Sequence, residues 1–241
     1  VSTLFELPKE PLPDWAKKLA VFDLETTGLV LDQARIVTAC VTVIDEDGEI
    51  ADDQLEWLAN PGIPIPEVAT AVHGIDNETA QRDGRPPKDV VAEVLAKLSS
   101  FFDAGIPVVA YNAPYDFTIL HYEALRNGLT PIANPSPVID PLVIDKFLDR
   151  YRGGKRRLEL TAAHYGVELT DAHNATADAV AAGRVAQAIA RKFYKRLSIE
   201  ATELHDLQVA WSKDLDLDFE KFMQGKDPSF KTTLGWPLKL K

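Results

Sequence analysis

The stretch L-A-V-F-D-L-E, residues 19–25, decides the fold. Apolar residues occupy both of its faces, the pattern of a strand in the middle of a sheet. Asp23 and Glu25 interrupt it two residues apart. Residues i and i+2 of a strand project to one face, so both carboxylates point the same way. Two like charges on a mostly buried strand are costly unless something positive neutralises them. A hard divalent cation does so with oxygen ligands. A strand that ends early, leaving both acids in water, accounts for the pair equally well. Thr26, Thr27 and Gly28 then turn the chain, where a substrate can meet backbone amides.

Working outward, residues 34–45 (A-R-I-V-T-A-C-V-T-V-I-D) read as a second strand. D-E-D-G-E at 45–49 is a hairpin turn, and 50–58 returns as a third strand. The segment 60–87, with five prolines, reads as loop-rich. Residues 88–103 have helical spacing, and 106–112 form a buried strand. Pro114 opens a helix that runs to about Arg126, ahead of Asn127-Gly128. A short strand at 137–140 and helices at about 141–151, 158–165 and 175–196 follow. This order predicts an α/β fold: a mixed five-stranded sheet, three antiparallel strands then two parallel, flanked by helices.

The chain divides into an arm (1–18), a main domain (19–196) and a C-terminal extension (197–241). In the extension Leu204, Leu207, Trp211, Leu215, Phe219 and Phe222 form an apolar stripe at helical intervals. That helix either packs on its own domain or docks a partner or a second copy of the chain.

Composition narrows the class. The chain has 241 residues, 46% hydrophobic and 26% charged, as in a globular protein with a real core. A single cysteine, Cys40, rules out an internal disulfide and a Cys/His zinc framework, and fits a reducing, cytoplasmic setting. The first twenty residues hold too many charges for a signal-peptide core, and no apolar run is long enough to span a bilayer. The net charge of −11 argues against a broad basic surface for nucleic acid. It leaves room for a nucleic-acid substrate, because bound metal ions add positive charge that the residue count omits.

Three further residues join the pair on β-strand 19–25. Asp116, in A-Y-N-A-P-Y-D-F, falls in the first turn of its helix, where the helix dipole favours a carboxylate; alone, that placement needs no other explanation. Asp178 shares a helical stripe with Ala182, Val185, Ile189 and Phe193, so it points with the apolar face. An acid there invites a functional role, the alternative being an ion pair with a buried base. His173, in D-A-H-N-A-T-A-D, precedes the same helix and suits proton removal from water, if it is not merely a surface histidine before a cap. Four acids and a histidine from one strand and two helix starts suit two-metal phosphodiester hydrolysis.

D-L-E-T-T-G at 23–28, N-A-P-Y-D at 112–116 and H-N-A-T-A-D at 173–178 resemble the three motifs of the DEDD exonuclease superfamily. The His-x4-Asp spacing marks its histidine branch, the DnaQ-like exonucleases that include the proofreading epsilon subunit of DNA polymerase III. The resemblance covers about residues 19–195. It implies a ribonuclease H-like fold, two divalent cations (Mg²⁺ or Mn²⁺) on Asp23, Glu25, Asp116 and Asp178, and His173 as general base. It implies attack at a single-stranded 3′ end of nucleic acid, DNA in preference to RNA, with release of nucleoside 5′-monophosphates. Thr26, Thr27, Leu29, His73 (in A-V-H-G-I) and Asn112 match positions around the terminal nucleotide. An RNA-trimming enzyme of the same family, or an adaptor acting through the C-terminal helix on a polymerase, is the alternative.

One basic cluster remains, R-Y-R-G-G-K-R-R at 150–157. It reads either as a site for upstream phosphates or as a solvated glycine loop. It is not a phosphate-cradling P-loop, because Arg156 stands where Ser or Thr is required. His121, His164 and His205 read as structural.

Overall fold

The computed structural model describes residues 11–52, 54–169 and 174–240. Five strands form one sheet: β1 (Leu19–Thr26), β2 (Ile36–Ile44), β3 (Leu55–Leu58), β4 (Val108–Val109) and β5 (Val138–Ile139), in the order β3-β2-β1-β4-β5. β1 pairs antiparallel with β2, and β2 with β3, whereas β4 runs parallel to both β1 and β5. This is the mixed sheet that the element order predicts. β1 is central, and Val21 and Phe22 are fully buried. Asp23 lies opposite Cys40 and Glu25 opposite Thr38, and a register shift follows immediately at Glu25/Thr26. That irregularity ends the ladder and turns the chain away just past the two acids.

The helices are α1 (Glu67–His73), α2 (Asn77–Asp83), α3 (Pro87–Asp103), α4 (Pro114–Arg126), α5 (Pro141–Leu148), α6 (Leu158–His164), α7 (Ala175–Lys192), α8 (Tyr194–Leu197) and α9 (Ala201–Gln224). Several expectations need correction. The segment 60–87 is not simply loop, because it holds α1 and α2. Pro66 stands just before α1, where its missing N–H costs nothing, and Asp76 caps α2 by accepting a bond from the Thr79 amide at 2.7 Å. Helices of seven residues are too short for periodicity to reveal among prolines. The third strand is shorter than 50–58, with only an isolated bridge pairing Ile50 to Ile44. The helix expected over 175–196 breaks at Phe193, whose backbone leaves the helical region.

The C-terminal helix α9 uses half of its stripe. Leu204 is fully buried and Trp211 stacks on Phe147, with ring centroids 4.5 Å apart. Phe219 and Phe222 are half exposed or more. An ideal helix drifts relative to any fixed apolar stripe, so the stripe leaves the domain surface before the helix ends.

Gly183 sets the position of α7 over the sheet. A Cβ built there would meet Ile44 Cδ1 at 2.5 Å and Val21 Cγ1 at 2.6 Å. Glycine thus lets α7 press directly onto β1 and β2, which fixes the height of Asp178, five residues earlier, above the end of β1. Gly183→Val should lower stability by about 1–3 kcal/mol through overpacking, read as a fall in the thermal or urea midpoint; an unchanged midpoint would show that the helix has slack.

Candidate active site

Three elements deliver the acids to one place. Asp23 and Glu25 are half-buried on one face of β1, while Leu24 between them is turned into the core. Asp116 is buried in the first turn of α4, and its Oδ1 accepts the Leu24 amide at 3.0 Å. That bond locks the start of α4 against the strand between the two other acids. Asp178 lies in the first turn of α7, whose cap Asn174 accepts the amides of Thr176 and Ala177 at 3.0 and 3.2 Å. Ligand oxygens of Asp23, Glu25 and Asp178 all lie within 4.8 Å of one another.

The electrostatics follow from this crowding. Burial first, then the charges of Asp116, Glu25 and Asp178, hold the Asp23 carboxyl well above the usual carboxylate range. Burial, then Asp178, pushes Glu25 up to about 7. Burial also raises Asp116, against the opposing pull of the Leu24 amide. For Asp23 and Glu25 every cause raises the pKa, burial first and then the neighbouring acids. Such a donor set, all hard oxygen and collectively short of positive charge, fits divalent cations of the Mg²⁺ or Mn²⁺ kind.

A cleft of about 820 Å³ opens over these acids. Its other wall is apolar: Leu29 is 83% exposed, Val68 75% and Val72 46%. Isolated exposed apolar residues need no account, but three facing one acidic floor form a surface for a flat, partly apolar group. Tyr115 braces the lip: its hydroxyl lies 2.5 Å from Thr26 Oγ1 and donates to the Gly28 carbonyl at 3.0 Å. Burial pushes this phenol up to about 12, so it stays neutral.

The remaining expected residues fall as follows. Thr26, Leu29, His73 and Asn112 line the cleft. His73 Nδ1 accepts the Ile75 amide at 3.2 Å, which leaves the proton on Nε2; burial lowers its pKa, and the Thr26 carbonyl pulls the other way. Asn112 adopts a left-handed backbone (φ 65°) at the turn into α4. Thr27 turns away: its hydroxyl accepts the Arg35 amide at 3.0 Å and its amide donates to the Arg35 carbonyl at 2.9 Å. It secures the turn instead of facing the cleft. His173 lies outside the described residues.

Two members of the basic cluster are spent inside the protein, while Arg150, Lys155 and Arg157 are exposed. Arg152 and Arg156 both bind the buried carboxylate of Asp145, at 2.5 and 2.6 Å, and Arg150 pairs with Asp218. Arg156 and Arg157 reach the cleft edge. Tyr115, Val68 and Val72 line the cleft without being among the expected residues. Tyr115 directly precedes Asp116 in N-A-P-Y-D, whereas the valines lie on the short helix α1 in the proline-rich segment.

Comparison with known proteins follows the same lines. Residues 20–186 match the exonuclease family RNase T. A DNA polymerase III of PolC type from Lacticaseibacillus paracasei is 30% identical over 186 residues, 77% of this chain and 12% of that protein. A DNA polymerase III subunit epsilon-like protein from Rhodobacter capsulatus is 31% identical over 75% of this chain and 24% of its own length. The chain therefore spans a quarter or less of these relatives. An uncharacterized exonuclease of Escherichia phage 186 is 34% identical over 68% of this chain and 84% of its own. Among solved structures, E. coli exonuclease I in complex with single-stranded DNA superposes with a TM-score of 0.62 at 18% identity, over 75% of this chain and 42% of that one. Exonuclease X with 5′ overhanging duplex DNA gives 0.55 at 20% identity, over 78% and 99%. These neighbours share the ribonuclease H-like fold seen here.

The raised carboxyls carry a pH dependence. A group whose folded pKa lies above its unfolded one stabilises fully below the unfolded value and loses that contribution as pH rises through the folded one. For Glu25 this window runs from 4.5 to about 7. The chelator-treated protein should therefore lose thermal stability across that range. Asp23→Asn, which removes one repelling charge, should raise its melting temperature at pH 8 and change it little at pH 5. A melting temperature at pH 8 unmoved by Asp23→Asn would mean that the acids are not in conflict.

Proposed function

This chain belongs to the RNase T exonuclease family, and on that premise we propose that it is a metal-dependent 3′→5′ exonuclease releasing nucleoside 5′-monophosphates from single-stranded DNA ends. The observation that carries the reading is the convergence of Asp23, Glu25 and Asp178 within 4.8 Å on the floor of an open cleft. Asp23, Glu25, Asp116 and Asp178 are the residues that would hold two divalent cations, Mg²⁺ or Mn²⁺. When bound, these ions supply positive charge against the charge developing on the phosphoryl group and its leaving oxygen.

The chain's own groups do the rest. Leu29, Val68 and Val72 receive the terminal base, and His73 and Thr26 lie beside its sugar. Asn112 and Tyr115 border the scissile phosphate. His173 takes the proton of the attacking water as the water oxygen bonds to phosphorus and the bond to the 3′ oxygen breaks. The turn 26–28, braced by Tyr115, keeps the terminal nucleotide from sliding past the acids. Preference for DNA is supported by the neighbouring structures, which hold DNA, and by relatives named as DNA polymerases. Among the described residues no helix is long and apolar enough to cross a membrane.

The test is a time course on a 5′-labelled single-stranded oligodeoxynucleotide with Mg²⁺ or Mn²⁺. The label should shorten one nucleotide at a time, and chelation should stop the reaction. His173→Ala should cut kcat by about 10²–10⁴ without unfolding the protein. Immediate release of a labelled mononucleotide, cutting within the strand, or full activity of His173→Ala would contradict the proposal.

A further inference from the structure

Asp140, at the end of β5, is wholly buried, and four N–H groups converge on its carboxylate. Oδ1 accepts the amides of Asn112 at 3.0 Å and Leu142 at 2.9 Å. Oδ2 accepts the amide of Ala113 at 3.0 Å and Trp236 Nε1 at 3.3 Å. Burying a carboxylate is expensive unless hydrogen bonds replace its water, so the arrangement is committed to one conformation. What it fixes is the turn from β4 into α4. No side chain of that helix's own cap residue, Ala113, satisfies the orphan amides there; Asp140 does so from the neighbouring strand. The turn carries Asn112 in its left-handed conformation and leads, four residues on, to Asp116.

The C-terminal extension holds the same segment from the other side. Besides the Trp236 bond, Gln208 of α9 accepts the Asp140 amide at 2.7 Å and donates to the Val138 carbonyl at 3.1 Å. His205 accepts the Val138 amide at 3.1 Å, and its ring lies 5.0 Å from that of Trp236. The Lys239 amide donates at 2.9 Å to Thr118 Oγ1, two residues past Asp116 and fully buried. All of these partners lie beyond residue 186, where the family match ends. Hydrogen bonds thus run from the tail through Asp140 to the Asn112–Ala113 turn, the backbone of the first turn of α4 leads on to Asp116, and Asp116 accepts the Leu24 amide between Asp23 and Glu25.

We propose that Asp140 and Trp236 are positioning residues for Asp116, so that the C-terminal tail sets the geometry of the metal-binding carboxylates. The proposal rests on the exonuclease reading above. Outer groups that orient a ligand tune metal affinity and turnover, and Asp140 acts on Asp116 through the Asn112–Ala113 turn that opens α4. Its signature is a weaker metal site with a matching fall in kcat.

The test compares the full chain with Trp236→Phe, which keeps the ring and removes the N–H, with Asp140→Asn, and with Trp15→Leu, which removes the buried ring bonded to the Leu197 carbonyl at 2.9 Å and touches no partner of Asp140. Mn²⁺ binding is measured by calorimetry, and kcat and KM on an oligodeoxynucleotide. Asp140→Asn should weaken Mn²⁺ by about 10- to 100-fold, and Trp236→Phe by about 3- to 10-fold, each with a matching fall in kcat. Trp15→Leu should lower the melting temperature and leave Mn²⁺ affinity unchanged. If Asp140→Asn does not fold, Trp236→Phe decides alone. Wild-type Mn²⁺ affinity and kcat in a folded Trp236→Phe protein would overturn the proposal, as would an equal loss in Trp15→Leu. A wild-type chain that binds no Mn²⁺ and cleaves nothing would instead remove the exonuclease reading on which the proposal stands.

Discussion

The structure is organised around a conflict of like charges at the end of one buried strand. Asp23 and Glu25 project from β1, and Asp178 and Asp116 are brought against them from two helices. Left to themselves, these groups resist ionisation: burial and mutual repulsion raise Asp23 and Glu25 together. A fold gains nothing by assembling such a cluster for stability alone. The supporting features maintain it nonetheless. Gly183 admits α7 to the sheet, the Leu24 amide anchors Asp116, and Asp140 grips the turn before it. On the proposed reading, bound divalent cations would resolve the conflict.

The cleft is divided by chemistry. Its floor is acidic, one wall is apolar, and the net charge of −11 offers a polyanion little general attraction. Much of the local basic charge is committed, since Arg152 and Arg156 neutralise the buried Asp145. On the proposed reading, recognition of a nucleic-acid end would depend on cations held by the acids and on apolar contact with the base through Leu29, Val68 and Val72, more than on a long electrostatic footprint. That economy suits an enzyme that engages a chain end.

Much of this was legible in the sequence because the signals were periodic. The two-sided apolar run around Asp23 marked a central strand, the alternation of elements gave the mixed sheet, and the position of Asp178 on the apolar stripe of its helix marked it as unusual. The parts that were not legible depend on contacts between distant residues. Helices α1 and α2 are too short and too rich in neighbouring proline for their period to register, and Val68 and Val72 were hidden with them. Thr27 and Thr26 are adjacent and chemically alike, yet only the pairing with Arg35 shows that Thr27 faces away. The service of Asp140 to a turn 28 residues earlier, and of Trp236 to Asp140 at a separation of 96, leaves no local pattern at all.

The central claim is that the four carboxylates form a site for two divalent cations. Titration of the metal-free protein with Mn²⁺, followed by electron paramagnetic resonance, tests it most directly. The account expects about two ions per chain at saturation, with binding weakened in Asp178→Asn and stronger at pH 8 than at pH 5, where protons compete for Glu25. A chain that binds no Mn²⁺, or binds it equally well after Asp178→Asn, would contradict it.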